Sequence, residues 1–417
     1  MSEAVATATR ESGQRGLALR MAWRNLWRNR RRTWLTAGAM AFACLLVGAG
    51  ISLQAGSYKA MIETATGMLM GQVQVSNSAF IEDQKLEDTV VNATDLMRRL
   101  EAVPGVRVAP RAEAFALVSR DERAFGGLVV GVDFEREKRV ITFFNQVSRG
   151  RTPVAAEEVL IGSVMARNLG ADLGEEIVVL GTAKQGGIAA MALVVVGIFE
   201  SGQRELDRTM MFTPLRGVQD AFELGDEVHR FVIRADGADL SSVVRQLEPL
   251  IGQDSRARTW SEFMPEVVQA IELDRVSAQI MYGVLLVLVS FSVVNTFMMI
   301  VFERMREFGM LLAIGMRPAL IVRQILLEAG LMWCVGCLLG SALVVALVGS
   351  LAGVGIPIEG MEDLAGEFFL PDRIYPAFDL LALTAAPIVL FIGTQLAGFI
   401  ATFRVNRIQP VAALRAE

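Results

Sequence analysis

Residues 303–318 read ERMREFGMLLAIGMRP and separate two apolar runs that are each long enough to cross a bilayer. Met305, Phe308 and Leu312 recur at the spacing of one helix face, and charged residues crowd the opposite side. This pattern predicts a short amphipathic helix that lies along the membrane surface and leaves its charged side free for a partner. The simpler alternative is a plain hairpin whose charges only keep the turn in water.

Four apolar runs predict a membrane protein. A helix needs about 20 apolar residues to cross about 30 Å of hydrocarbon, and each run reaches that length. The mean hydropathy of +0.43 and the hydrophobic content of 53% are high for a soluble protein, whereas 20% charged residues require a sizeable part in water. The predicted spans are residues 34–56, 278–302, 319–351 and 380–403.

Basic residues cluster on one side of these spans. Arginines are frequent in 1–33, 303–318 and 404–417, whereas 352–379 carries six acidic residues and a single arginine. Loops rich in Lys and Arg near the ends of spans stay in the cytoplasm. We therefore predict that both termini are cytoplasmic and that 57–277 and 352–379 lie outside.

The basic segment before the first span also has an amphipathic pattern. Arg20, Arg24 and Arg28 fall on one helix face, and Trp23 and Trp27 fall on another. The long basic region and full-length apolar run favour an uncleaved anchor over a cleaved signal peptide. We expect a helix that lies in the interface of the inner leaflet and contacts membrane lipids, with a solvated basic tail as the alternative.

The external segment 57–277 predicts an α+β domain, because short alternating strands are interspersed with helical patterns. Helical spacing occurs at 157–170 and 239–252, and the flanks 60–71 and 262–280 read as stalk helices that extend the spans. The predicted strands are 71–77, 106–119, 126–132, 175–181, 191–199 and 229–235.

Residues for catalysis are scarce. The single histidine, His229, starts a predicted strand and is interpreted as a surface or strand-edge residue. Cys334 and Cys337 lie within a predicted span without further ligands, which favours helix packing over a metal or redox site. The chain contains no GxxxxGK[ST] loop. We predict a non-catalytic chain without a bound cofactor or metal, and a net charge of −5 does not favour nucleic-acid binding.

One ionisable residue lies inside the third predicted span. Glu328 is about 13 Å from the start of that helix, and such a group is costly unless it faces protein. A carboxyl group that is hydrogen-bonded to a neighbouring span is favoured, and a proton or substrate site is the alternative. Gly336 and Gly340 form a GxxxG pattern that allows close helix packing.

Several stretches resemble one family. ERMREFGMLLAIG (303–315) resembles a signature of the ABC-transporter permeases that include the macrolide exporter MacB, the division protein FtsX and the lipoprotein-releasing LolC and LolE. VLIGSVMARNLGADLGEEIVVLG (159–181) and DRTMMFTPLRGVQDAF (207–222) resemble parts of that family's periplasmic core domain, and NRIQPVAALRAE (406–417) resembles its closing segment. The order of one span, a large external domain and three spans is similar too.

The resemblance implies a multi-pass permease of the bacterial inner membrane, with a large periplasmic domain and no fused ATPase. Two permease chains, identical or different, would work with cytoplasmic ABC ATPase subunits that use ATP and Mg. The short helix would be the coupling helix, and the permease would transmit mechanical work to the periplasm. The residues assigned to ATPase coupling on this basis are Glu303, Arg304, Arg306, Glu307, Phe308, Gly309, Leu312 and Gly315.

The resemblance favours lipoprotein release or the export of a lipid-like or hydrophobic substrate, with a periplasmic carrier or adaptor as a further partner. An FtsX-like scaffold that regulates a periplasmic partner, such as a cell-wall hydrolase, is the alternative. A secondary transporter is disfavoured because no inverted repeat is visible.

The charge asymmetry yields a test of topology. In a chain whose natural cysteines have been replaced, Asp236→Cys should react with a membrane-impermeant thiol reagent in intact cells. Arg317→Cys should react only after the cells are opened. The reverse labelling pattern would contradict the predicted orientation.

Overall fold

A computed structural model of the chain describes residues 20–237, 239–357 and 373–405. Much of the predicted basic segment, most of the loop at 352–379 and nearly all of the tail at 404–417 lie outside these residues. The described parts of Met1–Tyr58, Glu272–Pro357 and Arg373–Glu417 form a helical unit, and those of Lys59–Ile271 form an α+β unit.

The helices and strands are numbered in chain order. The helices are α1 (20–26), α2 (Arg30–Ala65), α3 (Ser78–Asp83), α4 (Ala93–Glu101), α5 (Phe134–Val140), α6 (Ser163–Leu169), α7 (Arg204–Thr209), α8 (Leu215–Ala221), α9 (Leu240–Leu247), α10 (Trp260–Phe263), α11 (Pro265–Glu303), α12 (Met305–Ala313), α13 (Pro318–Leu351) and α14 (Leu380–Val405). The strands are β1 (Val73–Asn77), β2 (Val90–Val91), β3 (Val106–Arg120), β4 (Arg123–Val132), β5 (Val147–Gly150), β6 (Glu158–Gly162), β7 (Glu176–Thr182), β8 (Ile188–Phe199), β9 (Met210–Pro214), β10 (Glu227–Val228), β11 (Arg230–Ala235), β12 (Ser255–Thr259), β13 (Ile356–Pro357) and β14 (Arg373–Ile374).

Within the described residues, four helical stretches are long and apolar enough to cross a membrane. They are Arg20–Met70, Pro265–Glu303, Pro318–Leu351 and Leu380–Ile400. Each contains one of the apolar runs seen in the sequence. A short 3-10 turn at Trp27–Asn29 separates α1 from α2 within the first stretch.

The helical unit contains a close contact between α2 and α13. The chain is helical at Gly336 and Gly340, and both glycines face α2, where Ala37 and Ala41 approach them. A Cβ atom placed on Gly340 would lie 2.5 Å from Cβ of Cys44 and 2.7 Å from the carbonyl oxygen of Ala41. A side chain at this position would therefore push the two helices apart.

The cysteines of the helical unit are free thiols. The Sγ atoms of Cys44 and Cys337 lie 3.7 Å apart, so the cysteine contact joins α2 and α13. Cys334, which the sequence pairs with Cys337 by spacing alone, is half-buried on the same helix. Small residues at this contact allow the close approach that membrane helices use.

In the α+β unit, six strands close into a barrel. Antiparallel and parallel ladders connect them in the order β3, β4, β9, β6, β8 and β7, and β7 pairs back to β3 at Leu117 and Leu180. Alternate residues of β3, including Ala114 and Val118, point into the core of this barrel. On the outer side of this barrel, Phe199 and Phe212 pack against Phe143 from the segment after α5.

Strand β3 is shared with a second sheet. Its first residues pair with β11, and the sheet continues through β1 to β12. The order β1, α4, β3, β11, α9, β12 is that of a split βαβ arrangement. Helices α4 and α9 cover one face through Leu96, Leu100, Val243 and Leu247. The fifteen-residue β3 thus ties the barrel to the split βαβ sheet.

The structure corrects the predicted helix at 157–170. Residues Glu158–Gly162 form β6, and the helix is confined to Ser163–Leu169 before Gly170, which has a φ of 65°. β6 lies between β8 and β9, and four of its five residues are buried. A short apolar run that is buried on both faces has no alternation to distinguish it from a helix.

The surface prediction for His229 is wrong, since the side chain is fully buried. Its Nδ1 accepts a hydrogen bond from the N–H of Glu113 (2.9 Å), and its Nε2 lies 3.1 Å from the carbonyl oxygen of Leu86. The ring also packs on Phe80, with centroids 4.8 Å apart. These contacts hold a neutral imidazole that connects β3 to the segment after α3.

His229 should make the α+β unit sensitive to mild acid. Burial lowers the pKa of His229, although the hydrogen bond to the Leu86 carbonyl acts in the opposite direction. The unfolded chain, with a histidine pKa of about 6.5, then binds more protons than the folded one. Stability is therefore complete above about pH 6.5 and falls as the pH drops from there toward the lower folded pKa. Hydrogen-exchange protection of β11 in the full chain should decrease between about pH 7 and pH 5.

The matched variant is His229→Gln, which keeps one donor and one acceptor but does not titrate. Its exchange protection should be nearly flat over the same pH range. An equally steep pH dependence in this variant would show that another group is responsible.

The α2–α13 contact predicts a site-specific packing defect. Gly340→Val should destabilise the helical unit by about 1–3 kcal/mol, because the new side chain has no space next to Cys44. Gly349→Val lies on the same helix, and a Cβ atom there meets no atom within 4 Å. Thermal unfolding in mild detergent should separate the two variants. Equal unfolding temperatures would contradict the close contact.

Candidate functional site

The short helix α12 has defined ends. Arg304 adopts a non-helical conformation between α11 and α12, with φ of −103°. At the other end, Met316 N–H bonds to Leu311 O (3.0 Å) and Gly315 N–H bonds to Leu312 O (3.0 Å), which is a Schellman motif. Gly315 has a φ of 97°, a value that favours glycine. The segment is therefore a bounded helix rather than a loose hairpin.

One face of α12 lies in the core of the helical unit. Phe308 is 1% exposed and packs in the same apolar cluster as Phe297 and Ile300, and Gly309 is buried beside it. Leu312 is partly buried against this cluster. The structure thus assigns Phe308 and Gly309 to anchoring α12, and neither is on the outer surface where a partner could reach it. The apolar face of the amphipathic helix is used internally, as its periodicity requires.

Most charges of this segment are also paired within the chain. Arg32 Nη1 donates to Glu303 Oε2 (2.5 Å), and Arg28 Nη2 donates to Glu307 Oε1 (2.9 Å). Arg304 Nε donates to Glu307 Oε2 at 3.0 Å. These side chains are therefore paired with the N-terminal segment or with each other, although Glu303 and Glu307 stay 46% and 40% exposed. Their contact with a partner stays a prediction.

Hydrogen bonding keeps Glu307 ionised. Partial burial would raise the pKa of this carboxyl, but hydrogen bonds from Arg28 and Arg304 together lower it below the usual value. Arg304 also lies over the Phe308 ring, 5.1 Å from its centroid. The guanidinium of Arg304 thus contacts both the carboxylate of Glu307 and the ring of Phe308, in the first turn of α12.

Glu328 is 5% exposed and fully engaged. Its carboxylate accepts hydrogen bonds from Arg304 Nη1 (3.0 and 3.1 Å) and from Asn25 Nδ2 (2.9 Å), with Gln324 Nε2 at 3.4 Å. The main partners belong to α1 and to the start of the α12 segment, whereas the sequence favoured a neighbouring span. The carboxylate therefore joins three parts of the chain.

A different face of α12 points outward. Arg306 is exposed, Met310 is 52% exposed and Ile314, just after the helix, is 84% exposed. Sequence reasoning included Arg306 and Gly315, which is also exposed, but it missed Met310 and Ile314. The signal was available, since the three residues follow one another at intervals of four and so share a helix face.

The N-terminal helix α1 presents the predicted interface residues. Arg20, Trp23 and Arg24 are exposed, and Trp27 is half-buried. Ring centroids of Trp23 and Trp27 lie 5.8 Å apart in an edge-to-face contact, and Trp34 continues this row from Trp27 at 5.7 Å. Arg28 differs from the other arginines, because its guanidinium is bound to Glu307.

Within the described ranges, no three or more His, Cys, Asp or Glu residues are grouped so as to hold a metal ion. The chemistry of the site is therefore that of ion pairs and of an exposed apolar and basic face. Such an arrangement can position a helix and bind another protein.

Two family models match the chain. The model of the MacB-like periplasmic core domain matches residues 33–250, slightly more than half of the chain, and that of the FtsX-like permease C-terminal region matches residues 280–410. The second match includes α12, and the first includes the barrel and the split βαβ sheet except for β12.

Relatives agree with this assignment. The lipoprotein-releasing system transmembrane protein LolC of Neisseria meningitidis is 23% identical over 91% of this chain and 95% of the relative. LolC of Xylella fastidiosa is 24% identical over 74% of this chain and 77% of the relative. The pyoverdine export ATP-binding/permease protein PvdT of Pseudomonas fluorescens is 31% identical, over only 30% of this chain and 16% of the relative.

Among solved structures, the periplasmic region of MacB from Actinobacillus actinomycetemcomitans covers 50% of this chain and 97% of its own length, with 11% identity and a TM-score of 0.36. The extracellular domain of the transporter YknZ covers 45% of this chain and all of its own length, with 15% identity and a TM-score of 0.34. The family assignment rests on the sequence matches. The chain belongs to the family of ABC-transporter permeases that combine a MacB-like periplasmic core domain with an FtsX-like C-terminal region.

Proposed function

We propose that this chain is the permease subunit that couples ATP hydrolysis by a separate cytoplasmic ATPase to movement of its own periplasmic domain. The observation that carries the proposal is the outer face of α12, where Arg306, Met310 and Ile314 are exposed while the inner face is fixed to the helical unit. A helix that is held on one side and exposes apolar groups on the other is suited to docking.

The exposed side chains indicate how a partner would bind. Met310 and Ile314 lie one helical turn apart, which is the spacing by which amphipathic helices insert into a groove of another protein. Arg306 adds a positive charge at one end of the same row. An ATPase surface with an apolar groove and an acidic rim would complement this face.

The remaining parts of the proposal follow from charge and family. The arginine-rich segments favour cytoplasmic termini, and the α+β unit would be inserted on the periplasmic side between the first and second spans. ATP and Mg would be bound by the partner ATPase. Because four spans are too few to enclose a pathway, a second permease chain would complete the assembly.

The proposed cargo class is lipoprotein or another lipid-like molecule. Support comes from the LolC relatives, which are named as transmembrane proteins of a lipoprotein-releasing system and one of which aligns with 91% of this chain. Release would deliver the cargo to a periplasmic carrier. An FtsX-like scaffold would dock an ATPase in the same way but would release no lipoprotein from reconstituted vesicles, so that assay distinguishes the two functions.

Docking through α12 is tested with Ile314→Asp. Burying an isoleucine contributes about 1.5–3 kcal/mol, and a carboxylate at the same place would have to be desolvated, so partner affinity should fall at least about tenfold. The measurement is co-purification of the ATPase and its ATP turnover at equal membrane abundance of the permease.

Ile188→Asp is the matched control, since Ile188 in the α+β unit is 86% exposed and Ile314 is 84% exposed. This variant should retain the ATPase. Wild-type co-purification and turnover in Ile314→Asp would show that the outer face of α12 is not the docking surface.

A further inference from the structure

A cavity of about 190 Å³ lies inside the helical unit where the N-terminal segment meets α11 and α13. Its apolar wall includes Phe297 and Met332. The polar and charged side chains that line it include Asn25, Arg28, Arg32, Glu303, Arg304 and Glu328. Such a concentration of charge next to an apolar wall is stable only if each charge has a partner.

The partners form a closed ring. Asn25 and Arg304 both donate to Glu328, at 2.9 Å and 3.0 Å. Arg304 also donates to Glu307 at 3.0 Å, and Arg28 donates to Glu307 at 2.9 Å. Because Asn25 and Arg28 belong to the same N-terminal segment, the path returns to its start. These five side chains are called the ion-pair ring.

The ring balances charge as well as geometry. It contains two arginines and two glutamates, and Glu328 at its deepest point is 5% exposed. A second pair between Arg32 and Glu303 runs beside it and connects the start of α2 to the end of α11. The ring therefore joins the N-terminal segment, α12 and α13 without leaving a net charge in the protein interior.

The ring also sets the rotation of α12. Ring residues Arg304 and Glu307 are three apart, so they share a side of the segment with Phe308. Arg306 and Met310 lie on another side and remain exposed.

We infer that the ion-pair ring mechanically couples the N-terminal segment 20–32 to α12. Glu328 and Arg304 act as positioning residues for α12. A displacement of α12 by the docked ATPase is passed through Arg304 to α13 and through Glu307 to the N-terminal segment. The transmission of this displacement rests on the proposed function, because it requires an ATPase that is docked on α12. The positioning itself is a property of the chain alone.

The first experiment uses the purified full chain without any partner. Glu328→Gln leaves the shape of the side chain but removes its charge, and amide hydrogen exchange across residues 305–313 should become about tenfold faster. Thr394→Val is the control, because Thr394 is equally buried but its hydroxyl bonds only within α14. Exchange at α12 should be unchanged in this control.

A double variant separates positioning from the cost of an unpaired buried charge. Arg304→Gln/Glu328→Gln removes both charges together, so a defect caused only by an unpaired charge would be relieved. Loss of the ring contacts is not repaired in this variant, and exchange at α12 should stay fast. Asn25→Ala removes the hydrogen bond between the N-terminal segment and Glu328 and is a second single variant if Glu328→Gln does not fold. It should also accelerate exchange at α12. Unchanged exchange in both single variants, or a return to the wild-type rate in the double variant, would overturn the inference.

The second experiment uses the complex with its ATPase. A spin label at Asp121→Cys, on the exposed turn between β3 and β4, should report an ATP- and vanadate-dependent distance change between two permease chains. In Glu328→Gln this change per ATP hydrolysed should fall at least about fivefold, and it should stay reduced in the double variant. If the wild type shows no change, the proposed function fails. If Glu328→Gln retains the full change, the inference fails while the proposed function stands.

Discussion

The buried carboxylate of Glu328 is the constraint on which the position of α12 within the helical unit depends. Removing an ionised carboxylate from water costs several kcal/mol, and only close charged and hydrogen-bonding partners offset that cost. Glu328 obtains them from Arg304 and from Asn25, a residue 303 positions away in the sequence. Any arrangement of α12 that withdrew Arg304 would leave a buried charge without its counter-ion. The short helix is therefore fixed by an electrostatic requirement that originates inside the neighbouring helix α13.

This constraint explains which parts of the site could be predicted from the sequence. The apolar face of α12 follows from periodicity, and the structure places Phe308 in the core accordingly. Periodicity does not tell which of the remaining faces is covered by other parts of the chain. Glu307 is covered by Arg28, which lies 279 residues away, and no local pattern encodes that contact. Met310 and Ile314 could have been found from periodicity, since they follow Arg306 at intervals of four.

In the α+β unit too, some features follow from the local sequence pattern and others depend on contacts between residues that are far apart in the chain. Alternation matches the burial of β7, β8 and the second half of β3, because each has one face in a core and one face that is less buried. β4 and β11 were also found from the sequence, although consecutive residues of both are buried. β6 has no such contrast, and closure of the barrel depends on distant registers such as Leu160 opposite Phe212. The burial of His229 likewise depends on Leu86, 143 residues away. Local pattern determines the elements here, and distant contacts determine which faces are covered.

Closure of the barrel limits how other molecules can recognise it. Each of its six strands has a hydrogen-bonded neighbour on both sides along part of its length, which leaves only short edges, such as residues 123–127 of β4, where a partner could add a strand. What the barrel offers instead is the outward row of alternate side chains, such as Phe115 and Leu117 on β3, which are 75% and 46% exposed. Recognition there is confined to side-chain chemistry. Specificity can thus change by single substitutions on the outer surface while the backbone ladder, and with it the fold, stays the same.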